Sequence, residues 1–125
     1  MKKEEIIIYL KEEEIRKIVE KIKYLSFGDL KKRTHYEISI LGKDTNEKLL
    51  ADYFNRFDKI KMINFRKRLT GYNNYDFFYV REDGTYIIYS INIEKNPPEL
   101  INAIPINRNF EKFRDYILKK HKKLF

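Results

Sequence analysis

The sequence contains no cysteine, so disulfide bonds and thiolate chemistry have no part in this protein. The commonest zinc sites, which use cysteine ligands, are excluded with them. Tryptophan and glutamine are also absent, whereas isoleucine, lysine, asparagine, tyrosine and phenylalanine are plentiful. That bias indicates an AT-rich coding sequence, and the heavy use of lysine and glutamate is compatible with a thermophilic source.

Glycine and long apolar runs are scarce as well. The four glycines fit no GxGxxG or GxxxxGK[ST] spacing, so we expect no cofactor site of either type. The apolar run "IIIYL" near the start is followed at once by charged residues and is too short for a signal-peptide core or a membrane span. The sequence therefore predicts no membrane partner and an intracellular, cytoplasmic location.

What the sequence does contain indicates one globular domain over residues 1–125. An apolar content of 42% is ordinary for a globular protein, and a chain of this length can bury a sizeable core. Apolar residues spaced three and four apart predict a helix from Glu12 to Gly28. The segment "THYEISILG" alternates between apolar and polar residues, which is typical of a half-buried strand. A second helix is expected to run through Phe57, with Asp44 or Thr45 as its N-terminal cap.

The second half predicts a sheet followed by a helix. "KIKMINFRKRL" is typical of a strand, a hairpin follows around Asp83-Gly84, and "LINAIPIN" suits an edge strand or a short helix. Asn109 is expected to cap a last helix. The fold class predicted is α+β, with a mainly antiparallel sheet of four to five strands packed by two or three helices.

The predicted hairpin decides which aromatic rings share a face. A two-residue turn at Asp83-Gly84 would place Val80 opposite Ile87 and Phe78 opposite Tyr89. One face would then be entirely apolar, whereas the other would mix rings with polar groups and carry Tyr75, Phe77, Tyr79 and Tyr86. A helix could cover this second face, or the four rings could form a protein interface or homodimer contact.

Charge is concentrated in one region of the chain. The net charge is +8, and residues 31–70 hold eleven basic against five acidic residues, a net +6. Basic residues of this kind bind phosphates, and aromatic rings stack on bases. The leading hypothesis is therefore nucleic-acid binding, through the six candidate residues Arg33, Arg66, Lys67, Arg68, Tyr72 and Tyr86.

No catalytic or metal-ligand motif stands out. The weak candidates for acid–base chemistry are His35 and Glu37, which would share a strand face, together with Arg81. Metal-independent RNA cleavage is thus a third hypothesis, after nucleic-acid binding and a protein-interaction module of viral or mobile-element origin. Two histidines among scattered acids predict no metal site.

The order of elements in the second half is similar in layout to RelE-type ribosome-dependent RNases. Those enzymes use arginine, lysine and tyrosine side chains on a compact sheet in place of a metal. The predicted helix–strand–helix order of residues 12–57 differs from the paired N-terminal helices of that family. The resemblance therefore implies no catalytic residue in this chain.

Overall fold

The computed structural model describes residues 5–42, 46–67 and 73–120. The strands are β1 (Glu5–Tyr9), β2 (Lys31–Lys32), β3 (Ile60–Lys67), β4 (Asn74–Val80), β5 (Tyr86–Asn92) and β6 (Glu99–Ile106). The helices are α1 (Glu12–Val19), α2 (Thr34–Gly42), α3 (Glu47–Phe54) and α4 (Phe110–Lys120).

All six strands form one sheet in the order β1-β3-β4-β5-β6-β2. Every pair is antiparallel except β2 with β6, which is parallel. The predicted α+β class is confirmed, with six strands and four helices where the sequence predicted fewer of each. The "EIIIY" segment, whose apolar run fits a strand or the first turns of a helix, is a strand, and the two residues of β2 are too few to produce a periodic pattern.

One face of the sheet is covered by the first three helices. Their apolar side chains meet the rings of β4 and the aliphatic residues of β5 in the larger core, which includes Ile15, Val19, Tyr36, Leu50, Phe54, Phe77, Tyr79, Ile87, Tyr89 and Ile91. The Tyr79 hydroxyl donates to the carbonyl of Phe54 at 2.7 Å. The Tyr89 hydroxyl donates to that of Leu50 at 2.6 Å. These two hydrogen bonds hold α3 on the sheet.

The opposite face is covered in part by α4. Phe78 and Tyr86 stack on Phe113, with ring centroids 5.6 and 5.4 Å apart. Asn109 caps this helix as predicted, because its side chain accepts from the backbone N–H of Lys112 at 3.0 Å. Of the two interpretations left open for the second hairpin face, cover by a helix is the one observed: α1, α2 and α3 cover Phe77 and Tyr79, and α4 covers Tyr86 on the opposite face.

The predicted register of the hairpin is wrong by one residue. Val80 pairs with Tyr86 and Phe78 with Ile88, so Tyr86 lies on the face opposite to Phe77 and Tyr79. The reason is the turn: the N–H of Gly84 donates to the carbonyl of Arg81, and Gly84 has a φ of +89°. This is a three-residue loop with a glycine bulge, which a left-handed glycine permits as readily as a two-residue turn.

The strand predicted for "THYEISILG" is also wrong, because Thr34–Gly42 is the helix α2. The alternating residues Tyr36 and Ile40 are four apart and therefore also share one face of a helix. Tyr36 is buried against the sheet, whereas Ile38 points outward and is 64% exposed. Alternation over so few residues fits both structures, and packing onto the sheet decides between them.

Two smaller expectations concern the cap of α3 and the segment "LINAIPIN". The predicted caps Asp44 and Thr45 lie outside the described residues, and Asn46 caps α3 by accepting from the N–H of Lys48 at 3.0 Å. "LINAIPIN" is a strand, as one of its two predicted alternatives, and β6 lies between β5 and the two-residue strand β2. Only its first two residues pair with β2, so Pro105 lies where β6 has no second described neighbour.

We predict that the protein loses stability in alkali through its buried tyrosines. Burial raises the pKa of Tyr79 and of Tyr89, whereas an unfolded tyrosine ionises near pH 10. Because the folded-state pKa is the higher one, the contribution of these tyrosines to the free energy of unfolding is constant below about pH 10 and falls above it.

Urea unfolding followed by circular dichroism from pH 7 to 11 measures this dependence. The double variant Tyr79→Phe, Tyr89→Phe should lose about 2 kcal/mol at pH 7, since it lacks two hydrogen bonds, and should show a shallower alkaline fall. An equal alkaline fall in both proteins would contradict the assignment.

Candidate functional site: two polar rows across the sheet

The α4 side of the sheet carries a row of polar residues on four neighbouring strands. Asn64 pairs with Asp76, Asp76 with Ser90, and Ser90 with Asn102. Asp76 lies two residues before Phe78, so the row continues the same face that α4 covers nearer the hairpin turn. We call these four residues the first polar row.

A second polar row lies next to the first, further from the hairpin turn. Arg66 pairs with Asn74, and Asn92 pairs with Glu99. Because Tyr75 pairs with Ile91, the same ladder places Asn74 beside Asn92. Five members of the two rows are only 2–7% exposed: Asn64, Asn74, Asp76, Asn92 and Glu99. So many buried polar side chains on one face require hydrogen-bond partners.

The carboxylate of Asp76 is the centre of these partners. Its Oδ2 accepts from Nε of Arg66 at 2.8 Å. Its Oδ1 accepts from Nδ2 of Asn74 at 2.9 Å and from Oγ of Ser90 at 2.7 Å. Three donors from three strands therefore converge on one acid, which ties β3, β4 and β5 together on this face.

Asn64 differs from its neighbours because its amide oxygen is not satisfied. The Oδ1 atom is buried and accepts no hydrogen bond within the part of the chain that the structure describes. A buried acceptor without a donor costs about 1–3 kcal/mol. Asn64 therefore weakens the folded state at the position where an aliphatic residue would strengthen it.

Basic side chains flank the rows at the β2 edge. Nη1 of Arg33 lies 3.4 Å from Oε1 of Glu99, and Nζ of Lys31 lies 3.9 Å from Oε2 of the same residue. The N–H of Arg33 also donates to the carbonyl of Leu100, which fixes the chain just after β2. The buried acid of Glu99 is thus compensated by two partly exposed cations.

The residues predicted to bind nucleic acid do not lie together: those that the structure describes occupy three separate places. Arg33 and Arg66 lie on the same face and at the same end of the sheet. Lys67 is exposed on the opposite face, since neighbouring residues of a strand alternate. Tyr86 is only 2% exposed and packs in the α4 core, so it cannot stack on a base. Arg68 and Tyr72 lie outside the described residues.

The four rings predicted to form a protein interface are core residues for the most part. Phe77 and Tyr79 are fully buried under the first three helices, and Tyr86 lies on the other face. Tyr75 is half-buried and packs on Phe65 with ring centroids 4.7 Å apart. The folded chain therefore does not present these rings together on its surface.

The candidates for acid–base chemistry are not brought together. His35 and Glu37 are exposed on α2, and residues two apart on a helix point to opposite sides. Arg81 lies at the hairpin turn, where it donates to Oγ1 of Thr85 at 2.8 Å and to Oδ1 of Asn107 at 3.3 Å. The shared strand face that motivated the pair does not exist.

Most residues of the polar rows were not singled out from the sequence. The available signal was a lone polar residue within each apolar strand, as in "MINF", "NYDFF", "YSIN" and "INAI". Only the register shows that Ser90 aligns with Asp76 and that Asn92 aligns with Glu99. The β4–β5 and β5–β6 pairings supply that register.

Comparison with known proteins yields no match to a family model, a curated protein or a solved structure. Within residues 12–57 the order is α1, the two-residue strand β2, α2 and α3, so the predicted strand over residues 34–42 is replaced by a helix. Among the residues that the structure describes, no helix is long and apolar enough to cross a membrane. The same residues contain no cluster of three potential metal ligands.

We predict that Asp76→Ala destabilises the protein far more than Ser90→Ala. The first change leaves three donors without their acceptor and should cost about 2–4 kcal/mol, allowing for the partial exposure of Arg66. The second removes one hydrogen bond and should cost about 1 kcal/mol. Urea denaturation measures both, and equal losses would show that Asp76 is not the centre of the network.

Proposed function

We propose that the protein binds nucleic acid at the polar end of the sheet, without a cofactor and in the cytoplasm. The observation that carries the proposal is the common position of Arg33 and Arg66 at the two sides of the polar rows. They lie four strand spacings apart, or about 19 Å across the sheet. A stretch of several nucleotides spans that distance, with phosphates at the arginines and bases over the polar rows between them.

The state of the two arginines suits phosphate binding. Their side chains are 46% and 39% exposed, and the guanidinium of each contacts a buried acid, which fixes its direction. Arg66 uses only Nε in the contacts of the described residues, so both Nη atoms remain for a ligand. A planar guanidinium that is already oriented loses less entropy when it binds a phosphate.

The net charge of +8 supports the same proposal. Such a charge attracts polyanions over a distance of about 10 Å at moderate salt. In the rows, Asp76 and Glu99 are offset by Arg66 and Arg33, and Lys31 beside Glu99 leaves these side chains with a net charge of +1. The arrangement holds no positioned acid–base pair, so we propose binding and not catalysis.

The test is fluorescence anisotropy with RNA and DNA octamers at 50 and 200 mM salt. We expect binding that weakens steeply with salt, and a loss of about three- to tenfold in affinity for Arg33→Ala and for Arg66→Lys. The lysine variant keeps the charge opposite Asp76 and removes only the fork. Arg16→Ala is the matched control, since Arg16 is an exposed arginine of α1.

Two outcomes would contradict the proposal. One is the absence of binding at 50 mM salt. The other is an Arg16→Ala variant that loses as much affinity as the two test variants, because the attraction would then come from net charge and not from a site.

A second candidate function is protein interaction through α2. Ile38 and Leu41 are 64% and 87% exposed and lie three residues apart on one side of this helix. Apolar side chains on both sides of so short a helix are typical of an element with two packing surfaces. This moves the proposed interface, including a homodimer contact, from the hairpin rings to α2.

Light scattering over a range of concentrations tests the dimer. We expect wild-type mass to rise with concentration toward that of a dimer, and the double variant Ile38→Lys, Leu41→Lys to remain monomeric. Tyr24→Lys is the control, since Tyr24 is equally exposed outside α2. A wild type that stays monomeric, or a control that also dissociates, would refute the α2 contact.

A further inference from the structure

The first polar row has two acceptor positions that the described residues leave unused. One is the buried Oδ1 of Asn64. The other is on Asp76, whose carboxylate takes two donors on Oδ1 and one on Oδ2. A carboxylate has about four acceptor sites, so one position on Oδ2 remains. Asn64 and Asp76 are direct cross-strand partners, which places their side chains next to each other on this face.

The charge of the surroundings restricts what could donate to these acceptors. The guanidinium of Arg66 is 2.8 Å from Asp76 and follows Asn64 on the same face of β3. A cationic ligand would meet this positive group at close range, whereas a neutral N–H donor would not. Asn64 and Asp76 are 3% and 4% exposed, and the row reaches solvent through Ser90 and Asn102, which are partly exposed.

Resting on the nucleic-acid function proposed above, we propose that Asn64 and Asp76 read the exocyclic amino group of a base. Such an amino group is neutral and carries two N–H donors, one for each acceptor. Amide and carboxylate oxygens are the side-chain groups that recognise the amino groups of adenine and cytosine. Arg66 would hold the adjoining phosphate, so that a single-stranded RNA is recognised by its bases and its backbone together.

Cytidine and uridine octamers provide the matched test. Their rings have the same size, but cytosine carries a 4-amino group where uracil carries a 4-oxo group. The wild type should bind the cytidine octamer about tenfold more tightly, because one to two additional hydrogen bonds change the affinity by about that factor. In the variant Asn64→Leu this preference should fall to less than about threefold, with uridine affinity unchanged.

The same variant has a stability readout that a merely structural asparagine would not give. Asn64→Leu keeps the side-chain shape and removes a buried unsatisfied oxygen, so its thermal midpoint should rise by about 2–5 °C. Asn55→Leu is the control on the opposite side of the sheet, where Asn55 donates to the carbonyl of Leu25. It should leave the preference for cytidine unchanged.

The outcomes distinguish this inference from the function on which it rests. If the wild type binds neither octamer, the nucleic-acid function fails and the base reading with it. If it binds both equally, the function stands and the base reading is overturned. A midpoint that rises in Asn64→Leu while the cytidine preference persists would also overturn it, since the oxygen would then have no part in recognition.

Discussion

The structure depends on the alternation of side chains along β4 and β5, the two central strands of the sheet. On β4, odd-numbered residues such as Phe77 and Tyr79 are buried under α1, α2 and α3. The intervening Phe78 is buried under α4 on the other face. A strand that is apolar on both sides cannot be moved by one residue without exchanging its two cores. The pairing of β4 with β5 therefore fixes the position of every other element.

The same alternation explains why the polar rows are located at one end of one face. Helix α4 begins beside the hairpin turn, where the N–H of Phe110 donates to the carbonyl of Gly84. Its rings cover the part of the face around Phe78 and Tyr86. Towards the other end of β4, the residues of this face are Asp76 and Asn74, and the apolar contacts give way to hydrogen bonds.

This division separates stability from the proposed function within one sheet. The aromatic half and the helices that cover it provide the apolar burial that stabilises the fold. The polar half concentrates buried hydrogen-bonding groups, including one unsatisfied oxygen on Asn64. Residues that weaken the folded state are frequently found at sites that bind a ligand, because binding supplies the missing partner.

The fold class was predictable because it follows from local patterns of long elements. The apolar stripe that includes Ile15 and Val19 defines α1, and the apolar run of β3 defines a strand. The polar rows were not predictable in the same way, since they are a property of register. A shift of one residue at Gly84 changes the partner of Asp76 and places different side chains on each face.

The helix α2 was missed for a related reason. Tyr36 and Ile40 satisfy both a strand period and a helix period, and nine residues are too few to distinguish them. The candidate site was predictable only in part. Arg33 and Arg66 were recognised from their charge, but their common location depends on β2, a strand of two residues. Charge along a sequence does not show which basic residues meet in space.

Cross-strand contacts between α-protons, measured by NMR, test the central claim most directly. Arg81 and Thr85 form a hydrogen-bonded pair, so Val80–Tyr86, Phe78–Ile88 and Asp76–Ser90 alternate with it as close pairs, whose Cα atoms are about 4.5 Å apart. The account predicts strong nuclear Overhauser effects between the α-protons of these three pairs. Effects between Tyr79 and Ile88 would contradict it, because these two residues are a close pair only in the register of a two-residue turn, which removes Asp76 from the polar row.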